Sequence, residues 1–338
     1  MNYVIIILAL FKLDFLIFMI NCKKISNNIY EIDIHRSKAK TDLKWVNIIN
    51  AQHAEIQYLK KNYNFNLQHL NSSLSTVFSQ RPMISQEPGY VFIVLHFPIY
   101  VQAKIVAGEI EFFIGHGYLI TVHNGNIPAL NNFFTACQAN PDFLLADDWD
   151  SSIILLYELL NKLIYDCYGL IDETSAGIAR VEDLIFAHNQ HEAVALILNL
   201  RRNIINLRKI LQNHEGILKA LTEVKSTLVP QAEIRRHYDR LVEHSKRIWN
   251  MLDNQKEMIE VLNSTNQSLL DNQMTNVMKT LTIISVIVFP LTLLAAIFGM
   301  NTAYMPLVGH PYGFWIIICI MLACSTGMLL YFEKKKWL

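Results

Sequence analysis

Three hydroxyl side chains, Thr282, Ser285 and Thr292, interrupt the otherwise apolar run of residues 281–300. Placed on a helix at about 100° per residue, they share one arc of about 120°. Thr275, Met278, Leu281, Phe289, Ala296 and Gly299 lie on the same arc, and the other faces are mostly Ile, Val and Leu. A stripe of small and hydroxyl side chains on an apolar helix can line a water-filled ion path. It can equally form a close helix-packing seam. The stripe by itself fits both. The run ends on Gly299-Met300-Asn301, which sets a neutral amide at the end of the stripe.

Such a stripe needs a membrane-length helix, and the sequence offers two. "LTIISVIVFPLTLLAAIFGM" is 20 residues without a charge, and "FWIIICIMLACSTGMLLYF", residues 314–332, is 19. A helix crossing about 30 Å of hydrocarbon needs about 20 such residues. Core helices of a soluble protein seldom run this long without a polar face. Residues 301–313 make a short loop with no Lys or Arg, whereas Lys279 precedes the first span and Lys334, Lys335 and Lys336 follow the second. The positive-inside rule then puts both outer flanks in the cytoplasm and the loop outside. Trp315 and Trp337 bracket the second span as interfacial anchors. The expectation is a multi-pass protein of the cell inner (plasma) membrane, in contact with lipid, with its N-terminal domain and C-terminal tail cytoplasmic. The first residues, "MNYVIIILALFKLDFLIFMI", nearly make a third span, but Lys12 and Asp14 sit in the middle. Residues 1–25 are a hydrophobic N-terminal extension, and we read residues 1–20 first as dispensable, with translation able to start at Met19. An extra anchor ranks second and a cleaved signal last.

Ahead of the spans, "VFIVLHF" (91–97) reads as a buried strand after Pro88-Gly89. "EIEFFIG" and "YLITVHN", separated by His116-Gly117, read as a hairpin with a tight turn. "DLKWVNIINAQHAEIQYLKKNY" reads as strand, cap and helix. Residues 26–148 are thus expected to be an α/β domain, its mixed sheet and flanking helices spanning 28–148. From residue 149 the apolar spacing becomes helical, and between residues 231 and 289 no proline interrupts it. Residues 232–299 would make a helix of roughly 100 Å at 1.5 Å per residue. Residues 149–280 are therefore helices including a stalk helix that enters the first span unbroken, through about 234–298. The remaining segments are the first span (281–300), the external loop (301–313), the second span (314–332) and a basic tail (333–338). Along the stalk, Ile234, Leu241, Ile248, Leu252, Ile259, Leu262 and Leu269 recur at threes, fours and sevens, which suits packing among several helices and an oligomer.

Composition excludes several functions. The chain has 338 residues, 52% hydrophobic and 17% charged, with a net charge of zero. There is no basic stripe interleaved with aromatics, so no nucleic-acid partner is expected. Cys22, Cys137, Cys167, Cys319 and Cys324 have no CxxC spacing, which argues against a disulfide scaffold or structural zinc. His188 and His191 share a helix face, but no HExxH, nucleophile elbow or Gly-rich phosphate loop accompanies them, and no enzyme is expected.

"GMN" after a long helix, "YMP" in a short loop, a second span and a "KKKWL" end resemble the CorA-type magnesium channel family. "VMKTLTIISVIVFPLTLLAAIFGMN" resembles that family's pore helix, and "WVNIIN", "VFIVLHFPIY" and "EFFIGHGYLITVHNGNIP" resemble its cytoplasmic domain. The resemblance implies an α+β cytoplasmic domain, a long stalk helix and two transmembrane helices, assembled as a homopentameric funnel. It implies passage of hydrated Mg2+, with Co2+ and Ni2+ as further divalent cations. A zinc transporter of the same superfamily is the alternative. It also implies that Gly299, Met300 and Asn301 form the selectivity motif, with Asn301 in a ring at the mouth. Mg2+ keeps its waters, and neutral amide oxygens can hold that shell without stripping it. Phe289 stands where the family commonly has Met, Ala296 where it has Gly, and the loop lacks the family's acidic residues. The family's regulatory acid on the stalk corresponds to Arg240, flanked by Asp239 and Glu243 as the candidate ligands for a regulatory Mg2+.

Overall fold

A computed structural model describes residues 19–35, 43–76, 80–102, 104–139, 151–223, 233–300, 311–335 and 337. Residues 1–18 and the loop residues 301–310, Asn301 among them, lie outside the described set.

Seven strands form one sheet: β1 (Met19–Lys24), β2 (Ile29–His35), β3 (Leu43–Ile49), β4 (Met83–Glu87), β5 (Tyr90–Val101), β6 (Lys104–Gly115) and β7 (Tyr118–His123). Their order is β1-β2-β3-β7-β6-β5-β4. All neighbours are antiparallel except β3 and β7, which pair in parallel. The expected hairpin joins β6 to β7, with Gly117 at φ +76° in the left-handed region its turn requires. Between β3 and β4 lie α1 (His53–Tyr63) and α2 (Leu67–Ser72). α1 starts where the Gln52 N–H donates to Glu55 Oε2 at 3.0 Å, and ends on Asn64 at φ 53°.

The sheet is apolar on both faces. In β5, Val91, Ile93, Leu95, Phe97 and Ile99 join one core, while Tyr90, Phe92 and Val94 join another. The period of two sends alternate side chains to opposite faces. α1 and α2 cover the second core. The first is covered by α3 (Pro128–Ala139), α4 (Ser152–Phe186), α5 (Gln190–Leu211), α6 (His214–Glu223) and the first part of α7 (Glu233–Phe298). Trp45 anchors it, fully buried, its Nε1 donating to Thr121 Oγ1 at 3.2 Å and its ring edge-on to Phe134.

Three details differ from the sequence reading. The sheet begins at Met19, not near residue 28: the end of the apolar extension is the edge strand β1. Its Lys23 pairs with the buried Asp33 at 3.2 Å, and Lys44 adds a contact of 3.3 Å. Burial opposes the charge on Asp33, yet these two cations hold its carboxyl below the ordinary range. Secondly, the stalk positions Leu241, Ile248, Leu252 and Ile259 are buried by the chain itself. α7 is tied to α4 there: Tyr238 donates to the Ile153 carbonyl at 2.8 Å, and Gln255 to the Ile171 carbonyl at 2.8 Å. At these four positions the spacing reports packing inside one chain. Thirdly, a glycine at the end of a long helix reads as the site of a strained turn, but Gly299 is not among the glycines with positive φ, so no left-handed turn explains it.

The chain divides into two compact units, residues 1–183 with 195–260 and residues 184–194 with 261–338. The second holds the membrane-length part of α7 and α8 (Gly313–Lys334). α7 is 66 residues long and unbroken, as expected.

Candidate ion pathway

The stripe residues all lie on α7 or its end. Within residues 281–300, Ile283 is buried and Ile287, Pro290, Leu291, Leu294 and Phe298 are half-buried. These residues lie roughly opposite the hydroxyl arc at about 100° per residue. Thr275, Met278, Leu281, Thr282, Phe289, Thr292, Ala296 and Gly299 are exposed, and only Ser285 of the arc is half-buried. The chain packs the back of this helix and leaves the arc open. A packing seam within one chain is thereby excluded for these residues.

The threonine hydroxyls of the arc bond back along the helix, as those of Thr280 and Thr326 off the arc also do. Thr275 Oγ1 donates to the Asp271 carbonyl at 2.8 Å, Thr282 to Met278 at 2.8 Å and Thr292 to Val288 at 2.9 Å. Each proton is spent one turn back along the helix. The oxygen lone pairs remain for incoming donors, so the arc is a row of hydrogen-bond acceptors on an apolar helix. A hydrated cation presents outward-pointing water protons, and acceptors of this kind suit it.

Phe289, 71% exposed, projects the largest apolar side chain of the arc, with Met278 and Leu281 nearer the stalk at 53% and 57%. Pro290 lies inside the helix and donates no backbone hydrogen bond to Val286. α7 closes with Gly299 N–H on the Ala295 carbonyl at 2.9 Å and Met300 N–H on Ile297 at 3.2 Å. A Cβ on Gly299 would stand 3.1 Å from the Ala295 oxygen. A side chain there would need the last turn to give by a few tenths of an ångström.

Asp239 and Glu243 lie one turn apart on an exposed face of α7, with Arg240 beside them. One chain thus brings two carboxylates together and sets a cation next to them. Among the described residues, no group of three His, Cys, Asp or Glu is arranged to hold a metal ion. One cavity of the first unit was not anticipated from the sequence, because its lining joins residues 80–107 to residues 206–213.

Both α7 and α8 are long and apolar enough to cross a membrane, with mean hydropathy reaching 2.6 and 2.2. The Bacillus subtilis protein named "Putative metal ion transporter YfjQ" is 25% identical over 296 residues, covering 87% of this chain and 89% of that one. The cobalt/magnesium transport protein CorA of Thermotoga maritima is 30% identical over 184 residues, 54% of this chain and 52% of that one. Among solved structures, the complete CorA magnesium transporter from Methanocaldococcus jannaschii superposes with a TM-score of 0.79 at 20% identity, covering 93% of this chain and all of that one. That likeness matches the fold: an α/β domain, a long helix and two apolar C-terminal helices. Residues 40–335 match the family described as CorA-like Mg2+ transporter protein, and the chain belongs to that family.

Proposed function

We propose that this chain is one subunit of a homopentameric channel that admits hydrated Mg2+ to the cell, with Co2+ and Ni2+ as further cargo. The arc from Thr275 to Gly299 lines the path, and Gly299, Met300 and Asn301 form its mouth. The observation that carries this reading is the acceptor row: exposed threonines whose protons are already committed to the helix. Copies of the arc facing one another enclose a channel that accepts hydrogen bonds from an ion's water shell. An amide ring at Asn301 does the same at the entrance and leaves the shell in place. The remaining apolar faces of α7 and α8 meet lipid or a neighbouring copy.

The cytoplasm holds the sheet domain and the basic tail, a reading supported by Lys334–Lys336 and by the loop without Lys or Arg. Asp239 and Glu243 are the residues that would hold a regulatory Mg2+. Two carboxylates suffice for an ion that keeps several waters. Arg240 opposes that binding electrostatically, so regulation through this face is expected to be weak.

The experiment is ion flux in liposomes holding the purified protein, with Mg2+, Co2+, Ni2+ and Zn2+ side by side, with and without a pH gradient. Mg2+ flux independent of the gradient supports the proposal. Zn2+ flux that follows the gradient, with none for Mg2+, would make the chain a zinc transporter instead.

A further inference from the structure

The first unit contains a cavity of about 820 Å3 that ion permeation does not use. Small-molecule sites run to roughly 300–1,000 Å3. Its lining comes from the segment ahead of β4, from β5 and β6, and from the end of α5 with the turn that follows it. Arg81 and Lys209 line it together, and neither has an ion-pair partner among the described residues. Their neighbours differ: Arg208 pairs with Asp253, and Lys219 and Lys246 pair with Glu215.

A carboxylate bonded to two residues of the lining, Gln80 and His96, is already engaged. Glu109 Oε2 accepts from the Gln80 N–H at 2.7 Å and lies 3.1 Å from His96 Nε2. The side-chain amide of Gln80 donates to Glu111. This clip fixes residue 80 on the sheet and so sets the position of Arg81. Pro82, Ile105 and Ile210 give the cavity an apolar wall, Ile105 and Ile210 being buried. Asn206 lines it too: its Nδ2 donates to the Ile105 carbonyl at 2.9 Å, which fixes the amide and leaves Oδ1 as an acceptor.

Two uncommitted cations, an apolar wall and a fixed amide acceptor match a phosphate group joined to a flat, apolar-faced body with an amine edge. We propose that this cavity binds a mononucleotide of the adenine class. Phosphate oxygens take Arg81 and Lys209, Arg offering a planar fork and Lys a point charge. The base lies along the wall of Pro82 and Ile210, with its exocyclic amine toward Asn206. The soluble domain then responds to nucleotide as well as to ions.

Calorimetric titration of the full-length protein in detergent, with divalent-free ATP, tests this. Adenosine and inorganic phosphate are titrated in parallel. Saturable ATP binding at one per subunit is expected, with adenosine and phosphate each at least tenfold weaker. Arg81→Gln and Lys209→Gln should each weaken ATP about tenfold or more, the loss of one charge-assisted hydrogen bond, and the double variant should show no binding. Both residues are exposed, and unchanged melting of the variants would show that the fold is intact. Absence of ATP binding in the wild type, equal binding in the double variant, or phosphate binding as tight as ATP would each overturn the proposal. None of these outcomes bears on the flux measurement above.

Discussion

In the sheet, Trp45, Phe92, Phe112 and Phe113 are completely buried by helices of the same chain. In the membrane-length part of α7, Phe289 is 71% exposed, Leu293 62% and Leu281 57%. Both regions are built from large apolar residues, yet the chain covers those of only one. The sheet domain is a closed problem: two apolar faces, two sets of helices, and little apolar surface left over. The far half of α7 is an open one. Its back is partly covered and its front carries threonines whose hydroxyl protons are internally satisfied. Burial therefore distinguishes a region whose sequence serves folding from one whose sequence serves a surface outside the single chain.

The largest expected effect lies at the end of the open region. Asn301→Ala should abolish Mg2+ flux in liposomes while the protein still assembles. If Asn301 only terminated the helix, the same change would cost on the order of 1 kcal/mol and flux would survive. Flux and melting temperature on one purified sample separate the two. The closed region should respond in the opposite way. Phe112→Ala should cost about 3–5 kcal/mol, read as a lower denaturation midpoint. Leu293→Ala should leave that midpoint nearly unchanged, and an equal loss would blur the contrast between the regions.

Smaller effects sharpen it. Phe289→Ala should raise the leak of the closed channel, because apolar rings gate by excluding water; unchanged leak would move the constriction elsewhere. Within the sheet, burial raises the pKa of Glu111 to about 8 from an ordinary 4.5, with Glu109 adding to the rise. A folded value above the unfolded one means stability is greatest below pH 4.5 and declines as pH climbs to about 8. Glu111→Gln should therefore gain on the wild type as pH rises through that window, as thermal melts at several pH values would show. The smallest effect is expected from deleting residues 2–18, which leaves β1 and its Lys23–Asp33 pair in place. Deletion through Lys24 should lower stability measurably, since it strips the sheet edge and one cation from a buried carboxylate.

The parts legible in the sequence were those with a strong local period. The spans, the unbroken α7, the β6–β7 hairpin and the strand around 91–97 all follow from runs and turn residues. β1 was missed because "MINCKK" continues an apolar stretch and pairs only through β2, a partner the local pattern does not reveal. The parallel pairing of β3 with β7 joins residues about 75 apart and leaves no local trace. The stalk spacing was legible as burial, but not whose side chains did the burying. The arc of Thr282, Ser285 and Thr292 was visible on a helical wheel. That its reverse face is the covered one, and that its threonine protons point back along the helix, needed coordinates. Arg81 and Lys209 meet only through the fold.

The reading of α7 rests on one face being wet. In a background with the five native cysteines replaced, single cysteines at Thr292 and Ala296 on the arc and at Leu294 and Phe298 on the reverse face report this directly. A membrane-impermeant, positively charged thiol reagent is applied during Mg2+ flux in liposomes. Rapid block at Thr292→Cys and Ala296→Cys, with none at Leu294→Cys and Phe298→Cys, is the expected pattern. Equal reaction on both faces, or reaction confined to the reverse face, would contradict the assignment of this arc to the ion path.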